Sequence, residues 1–384
     1  MPAQPFLQSA IPELAERVRQ AVARGTAVHI RGGGSKDFYG ATRSGDLLET
    51  AGLRGIISYE PSELVVTAGA GTPLQELEEL LASEGQCLAF EPPHFARSQP
   101  ALATVGGMVA TGLAGPARAS VGGVRDYVLG LQLINGRAEH LTFGGQVMKN
   151  VAGYDVSRLM VGAMGTLGLI TQVSLKVLPK FPAEATLVFE LGQAEALEHL
   201  HRWGGQPLPL NASCWVRDPT AGTGSDLLFV RLRGAVAAVE AACKKMLAEV
   251  AGQRMDTAQA AADWALCRDQ ALPFFARAPQ QDMALWRLSL PQTAPVLDLP
   301  WPQLVEWHGG LRWLWAPHDV AARLSAVAQG VGGSASIFVA APAHPSCASG
   351  HFDTKSAATT EIAKRLKASF DPHGVFNPSL VTNA

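Results

Sequence analysis

Three clusters of small residues hold the residue types from which an anion site can be built. The first is Val28-His29-Ile30-Arg31-Gly32-Gly33-Gly34-Ser35-Lys36, in which a short apolar strand enters three glycines and a hydroxyl and a cation follow. Glycine has no Cβ to hold a ligand off and reaches backbone conformations closed to other residues. Successive N–H groups can then converge on one anion as a backbone nest. A phosphate-bearing ligand suits that chemistry, and a plain flexible turn is the competing reading. The second cluster is Ala103-Thr104-Val105-Gly106-Gly107-Met108-Val109-Ala110-Thr111-Gly112. The third is Val161-Gly162-Ala163-Met164-Gly165-Thr166-Leu167-Gly168-Leu169-Ile170-Thr171. Residues 101–170 contain 14 of the 39 glycines, a density that calls for close backbone approaches beyond what ordinary loops need.

The elements that must position these clusters follow from periodicity. Ile11 to Arg24 reads as an amphipathic helix with Leu14, Val18 and Ala21/Val22 on one face. Val28–Ile30 is a strand leading into the first cluster. Leu64–Ala68 is a second strand, followed by a helix that Thr72 caps, Pro73 opens, Gln75 supports as a capping box and Gly85 ends. Val128–Ile134 and Ala138–Phe143 flank Asn135-Gly136, a hairpin signal. From Thr166 to Val177, residues 167, 169, 171, 173, 175 and 177 share one face, and Pro179 and Pro182 mark a boundary. Beyond it, strands are expected at Ala185–Leu191, Leu227–Leu232, Leu285–Leu290 and Ala335–Ala340. Helices are expected at Gln193–Trp203, Ala235–Val250, Thr257–Asp269, His318–Gln329 and Ser356–Phe370. This is the texture of an α+β unit with an antiparallel sheet.

The 384 residues suggest two domains, and 47% hydrophobic against 17% charged residues supports a large core. A formal net charge of −2 without basic blocks argues against nucleic acid as a partner. Cys87, Cys214, Cys243, Cys267 and Cys347 are scattered with no C-x-x-C pair, as expected of reduced thiols rather than an iron–sulfur or zinc site in this chain. Met1 to Ala10 does not read as a signal peptide. The uncharged stretches Pro100–Ala117 and Leu159–Leu175 are too rich in glycine and other small residues to be membrane spans. No G-x-G-x-x-G follows a strand and no G-x-x-x-x-G-K-[ST] occurs, which disfavours a Rossmann NAD site and an NTPase.

Other side chains invite two readings each. His199 and His201 are a metal pair or surface histidines; at i and i+2 on a helix they point apart. His94, in the Pro-Pro segment, reads as a loop histidine, with a role at a ligand site as the other reading. Lys149, Asn150, Tyr154 and Asp155 are a structural polar network or part of an active site. Arg287 and Arg312, each beside tryptophan, either fork onto a carboxylate or stack in a packed interface. The segment holding Trp301, Trp307, Trp313 and Trp315 is a protein–protein surface or core.

In order and spacing, the three clusters and the closing Asn377-Pro378 resemble the FAD-binding domain of the vanillyl-alcohol oxidase/p-cresol methylhydroxylase family. Glu91-Pro92-Pro93-His94-Phe95, Gly122-Gly123-Val124-Arg125-Asp126-Tyr127, the run from Phe143 to Asp155, Leu285-Trp286-Arg287 and Trp307-His308-Gly309-Gly310-Leu311-Arg312-Trp313 are similar to one branch of it, the E subunits of bacterial glycolate oxidase. The resemblance implies an α+β fold: a two-subdomain FAD-binding domain over 1–180 with a C-terminal return at 354–384, and a smaller α+β cap with an antiparallel sheet over 181–353. It implies FAD held by Arg31, Gly32, Gly33, Gly34, Ser35 and Lys36, by Pro93, by Thr104, Val105, Gly106, Gly107, Ala110 and Gly112, by Gly165, Thr166, Gly168 and Ile170, and by Asn377 near the flavin edge. Lys36 either adds charge there or is exposed.

At the level of the assembly, the resemblance implies oxidation of the 2-hydroxy acid glycolate to glyoxylate, with an FAD-binding D subunit and an iron–sulfur F subunit as partners. It implies a cytoplasmic protein that meets the inner membrane only through those partners. The His-x-Gly-Asp-Gly-Asn-x-His type run of the D subunit and its dehydrogenase relatives is missing, so no catalytic histidine is carried over. A flavin-free scaffold and a self-sufficient 2-hydroxy-acid dehydrogenase are the alternatives.

Overall fold

The computed structural model describes residues 4–40, 44–95, 102–145, 155–218, 224–276, 278–344 and 357–378. The chain forms two compact units: Met1–Ala114, Gly123–Lys180 and Lys355–Ala384 in the first, Gly115–Gly122 and Phe181–Thr354 in the second.

The chain begins with α1 (Gln4–Arg24), β1 (Val28–Arg31), β2 (Asp46–Glu49), β3 (Ile56–Glu60), β4 (Val65–Gly69) and α2 (Leu74–Ser83). It continues through β5 (Gln86–Cys87), α3 (Val105–Thr111), α4 (Arg118–Val121), β6 (Val128–Ile134), β7 (His140–Gly144), α5 (Val156–Leu159), β8 (Leu169–Lys176) and β9 (Leu178–Pro179). In the first unit β1 and β2 pair in parallel, and an antiparallel sheet runs β3-β4-β8-β6-β7. The alternation in β8 does what it predicts: Leu169, Thr171, Val173 and Leu175 are buried along one face. The register shifts between Gln132 and Leu133 of β6, opposite the Gln172–Ile170 stretch of β8. α2 buries Leu74, Leu77 and Leu81 at i, i+3 and i+7, the stripe an amphipathic helix needs.

Two local readings are corrected. Thr72 does not cap α2; Pro73 occupies that position without a side-chain bond. The Thr72 hydroxyl instead accepts from Gly55 N (2.9 Å) and donates to Gly55 O (3.1 Å), so a tertiary contact outcompetes the local cap. The β6–β7 loop is not a two-residue Asn-Gly turn. Its tight residue is Ala138, at φ 59°, while Asn135 Oδ1 accepts from Arg137 N and Glu139 N. Gly136 serves packing: its N–H donates to Phe370 O at 2.8 Å, and a Cβ there would lie 2.4 Å from Asp371 Oδ1.

The second unit adds β10 (Ala183–Glu190), α6 (Gln193–Gly204), β11 (Leu210–Asp218), β12 (Ser225–Gly234), α7 (Val236–Glu249), β13 (Gly252–Arg254) and α8 (Thr257–Arg268). Then come β14 (Met283–Ser289), β15 (Gln303–Glu306), β16 (Leu311–Pro317), α9 (Ala321–Gly330) and β17 (Ser334–Val339); α10 (Ala357–Phe370) returns to the first unit. Among the described residues, eight strands of the second unit form one antiparallel sheet, β13-β10-β12-β11-β15-β16-β14-β17. One face packs Leu187, Phe189, Leu228, Val230 and Leu232 against Leu200 and Trp203 of α6 and Val239 and Met246 of α7. Trp286, Leu288, Leu314 and Ile337 pack with Leu324 and Ala328 of α9. Burying a side chain the size of Trp203 stabilises the unit by roughly 3 kcal/mol. The helix expected at 318–329 opens as a 3-10 turn, His318–Val320, before α9. The Trp-rich segment is core, not a partner surface: Trp307, Trp313 and Trp315 are buried in β15–β16 and their connection.

Candidate functional site

In the first unit a cleft forms where the three clusters meet. Its walls include Arg31 to Lys36, Thr104, Gly106, Gly107, Ala110, Gly165, Gly168, Ile170 and Asn377. Ile30, Asp37, Thr50, Ala70, Leu102, Thr111 and Met164 also line it and escaped the sequence reading. Ile30, Thr111 and Met164 stand inside the three clusters but were not assigned to the site. Pro93, Val105, Gly112 and Thr166 are not among the cleft's walls. Val105 is fully buried, and Gly112 closes α3 in the left-handed region at φ 62°. The Thr166 hydroxyl donates to Ala163 O at 2.7 Å. Pro93 sits buried in a segment held between Glu91 (φ 49°) and Phe95 (φ 50°).

The glycines permit chain to approach chain. A Cβ on Gly33 would lie 1.8 Å from Leu102 O, and one on Gly32 would lie 2.5 Å from Thr104 Oγ1. Gly106 meets Ala70 in the same way, at 2.8 Å from its Cβ. Gly34 (φ 78°) and Gly165 (φ 70°) take the left-handed region. The first two clusters are thereby stitched backbone to backbone, with Leu102 N donating to Gly33 O at 3.2 Å.

Which donors remain for a ligand is decided by what the others already hold. At the start of α3, Val105 N donates to Thr72 O, Gly106 N to Ala70 O, Gly107 N to Thr104 Oγ1 and Met108 N to Thr104 O. That helix end is closed. By contrast, the N–H groups of Gly32, Gly33 and Gly34 donate to no acceptor among the described residues. The nest read from the first cluster therefore stays open, whereas the second cluster supplies shape. Arg31 pairs with Asp37 at 2.8 Å, which balances its charge. Lys36 is buried at 6% exposure, which removes the exposed reading; its Nζ reaches Ser35 Oγ (3.3 Å) and lies 5.6 Å from the Phe95 ring centre.

Asn377 is a clamp. Its Oδ1 accepts from Ile30 N at 3.1 Å and its Nδ2 donates to Met164 O at 2.8 Å, tying the first cluster to the third. Val28 N donates to Val375 O and Asn377 N to Val28 O, so the tail runs alongside β1. Asp371 fixes the turn before it by accepting from Val375 N and Phe376 N. Lys367 Nζ donates to Thr166 O, Asp371 Oδ2 and Phe376 O; burial holds its pKa below the ordinary lysine value, against the opposing pull of Asp371.

The remaining candidates resolve differently. His94 pairs with Glu78 at 2.8 Å and is not among the cleft's walls. His199 stacks on Trp203, and among the described residues no cluster of histidine, cysteine, aspartate and glutamate could hold a metal ion. Asp155 caps α5 by accepting from Arg158 N, while Lys149, Asn150 and Tyr154 lie outside the described residues. Arg312 is fully buried and donates to the carbonyls of Ala294 and Pro295; desolvation brings its pKa down to about 10. It is a structural arginine. Cys267 touches Cys214 and Glu306, and that contact together with burial pushes its thiol well above the ordinary range, away from reactivity.

The second unit carries one strained run. Trp307 (φ 54°), His308 (φ 56°) and Gly309 (φ 100°) are all left-handed, at a cost of about 1 kcal/mol or more for each of the two bulky residues. The surroundings hold them there: Trp307 Nε1 donates to Gly115 O (3.0 Å), His308 N to Ser213 Oγ (2.9 Å), and Gly310 N to Trp307 O (3.1 Å). His308 Nδ1 is buried without a hydrogen-bond partner, and desolvation lowers the ring's pKa to about 4.

An open nest beside a buried lysine, in a cleft that Cβ atoms would fill, fits the double phosphate of a dinucleotide. The family model described as "FAD binding domain" matches residues 7–155. Fold and site thus define an FAD-binding protein of the p-cresol methylhydroxylase type. The chain is 43% identical to the glycolate oxidase subunit GlcE of Escherichia coli (strain K12) over 95% of both chains, and it belongs to that family. D-lactate dehydrogenase of Archaeoglobus fulgidus is 32% identical over 44% of this chain, and glycolate oxidase subunit GlcD of Bacillus subtilis (strain 168) is 30% identical over 44%. The matches span only 37% and 33% of those two proteins. A solved alkyldihydroxyacetonephosphate synthase superposes with a TM-score of 0.66 over 96% of this chain and 74% of its own, at 15% identity, and so shares the fold. FAD is the cofactor, and the family is one of oxidoreductases. Among the described residues no helix is long and apolar enough to cross a membrane.

Proposed function

We propose that this chain is the FAD-carrying E-type subunit of an assembly that oxidises glycolate to glyoxylate and passes the electrons to an iron–sulfur subunit. The open donors of Gly32, Gly33 and Gly34 carry the reading, since a scaffold without cofactor has no use for a nest held open. In it, the first unit is the FAD domain, with its C-terminal return, and the second is a cap or partner domain. Gly32 to Gly34 and Ser35 bind the pyrophosphate, and Lys36 balances its charge. Thr104, Gly106, Gly107 and Ala110 shape the wall beside it. Gly165, Gly168 and Ile170 receive the adenosine side, and Asn377 fixes their distance from β1. Bound FAD supplies the two-electron acceptor that no side chain offers.

The full-length similarity to a glycolate oxidase subunit and the partial similarity to a GlcD protein support a related FAD-binding D subunit as partner. An iron–sulfur F subunit completes the electron path. The assembly works in the cytoplasm and meets the inner membrane through its partners. The missing histidine run weighs against a self-sufficient dehydrogenase and so supports turnover at the level of the assembly. Purification of the chain alone tests this: the expected product is yellow, shows flavin absorbance, and is bleached by glycolate only once partner subunits are added. Colourless protein that takes up no FAD would refute the reading, and bleaching without partners would make the chain a complete dehydrogenase.

A further inference from the structure

We propose that Arg287, set against the Trp307 indole with Arg118 nearby, binds a small organic carboxylate in the second unit. Arg287 is half-buried on β14, and its guanidinium carbon lies 5.5 Å from the centre of the Trp307 ring. That stacking contact is its one interaction among the described residues. The register explains why no carboxylate answers it. Its cross-strand neighbours are Trp313 and Ser336, and Leu285 and Ser289 stand two residues away on the same face. None is acidic. The Arg118 guanidinium lies 4.6 Å from the same ring centre, so a second positive charge shares the indole.

The Arg287 charge meets no acidic cross-strand neighbour, and an anion would answer it. A guanidinium backed by an aromatic face presents a flat fork of N–H donors, the shape that a carboxylate meets in bidentate fashion. The hydroxyl groups of Ser289 and Ser336 stand on the same face and can meet a polar substituent on the acid. The indole cannot drift: its own N–H is tied to Gly115 O, and the strained run from Trp307 to Gly309 is fixed by Ser213 and Gly310. Arg312, the other arginine beside tryptophan, cannot take this role, because it is fully buried and both terminal nitrogens are turned onto Ala294 and Pro295. The inference rests on the proposed function only in the choice of glycolate as probe.

The test is calorimetric titration of the full chain with glycolate, acetate and inorganic phosphate. Saturable binding of the two carboxylates is expected. Arg287→Gln should weaken it at least about tenfold, Arg287→Lys should fall between, having charge without the fork, and Arg118→Gln should cost less than Arg287→Gln. Flavin absorbance should be equal in all four proteins, which keeps this test separate from that of FAD binding. The proposal is overturned if carboxylates do not bind, if phosphate alone binds, or if Arg287→Gln binds as tightly as the parent. Should Arg287→Gln fail to fold, Arg287→Lys with unchanged affinity overturns it equally.

Discussion

All eight tryptophans of the chain lie in the second unit, whereas the cleft of the first is walled largely by glycine and other small residues. The two units reach order by opposite means. In the second, indoles fill the interior and their N–H groups find acceptors: Trp203 on Glu249, Trp215 on Leu191 O, Trp264 on Thr186, Trp313 on Glu306 and Trp315 on Phe274 O. In the first, side chains are withdrawn so that backbones touch, and three N–H groups stay uncommitted. Indoles whose donors are tied internally in this way are architecture. Where donors are held open beside a buried cation, a region is prepared for a ligand.

The sharpest way to break this contrast is Gly33→Ala. The new methyl would face a carbonyl oxygen that cannot move without parting the two clusters, so a stability loss of about 3 kcal/mol or more and loss of flavin absorbance are expected. Denaturant melts and flavin content check it; a yellow, fully stable variant would show that the close approach is dispensable.

Next comes His308, the buried imidazole of the other unit. Its folded pKa of about 4 lies below the unfolded value of 6.5, so the unfolded chain binds more protons between those limits and stability must fall as pH drops through them. The loss amounts to about 3 kcal/mol by pH 4. His308→Asn, a residue that accepts the left-handed backbone, should flatten that part of the melting profile.

Asn377→Ala removes the clamp and leaves Ile30 N and Met164 O without their buried partner, for about 2 kcal/mol and weaker FAD retention. Fluorescence of released flavin during gentle heating reads the second effect. The smallest change is expected of His94→Ala, which breaks a partly exposed pair with Glu78, costs under about 1 kcal/mol and keeps the flavin.

The glycine clusters were legible because backbone contacts constrain residue type directly. β8 was legible because Leu169, Val173 and Leu175 recur on one buried face with Thr171 between them. β15 and β16 were not: residues Gln303 to Glu306 and Leu311 to Ala316 are buried on both faces, which erases the alternation that marks a strand. Arg312 inside that run looked like a binding residue and is instead a buried brace. Likewise the sequence could not tell which glycine N–H groups stay open, since that depends on carbonyls at Ala70 and Thr72, far from α3 in the chain. The tertiary use of Thr72 and Gly136 was hidden for the same reason.

The pairing of Val375 and Asn377 with Val28 spans almost the whole chain, and it has a consequence for biosynthesis. A ribosome that has released only the first 180 residues has displayed all three glycine clusters, yet β1 still lacks the strand-like neighbour that fixes it, and Ile30 lacks its clamp. The nascent chain thus exposes an unfinished nest throughout synthesis of the entire second unit. Under the proposed function, cofactor capture is a late event, timed by the emergence of Asn377, and additions fused close behind that residue are expected to bear on prosthetic-group loading first.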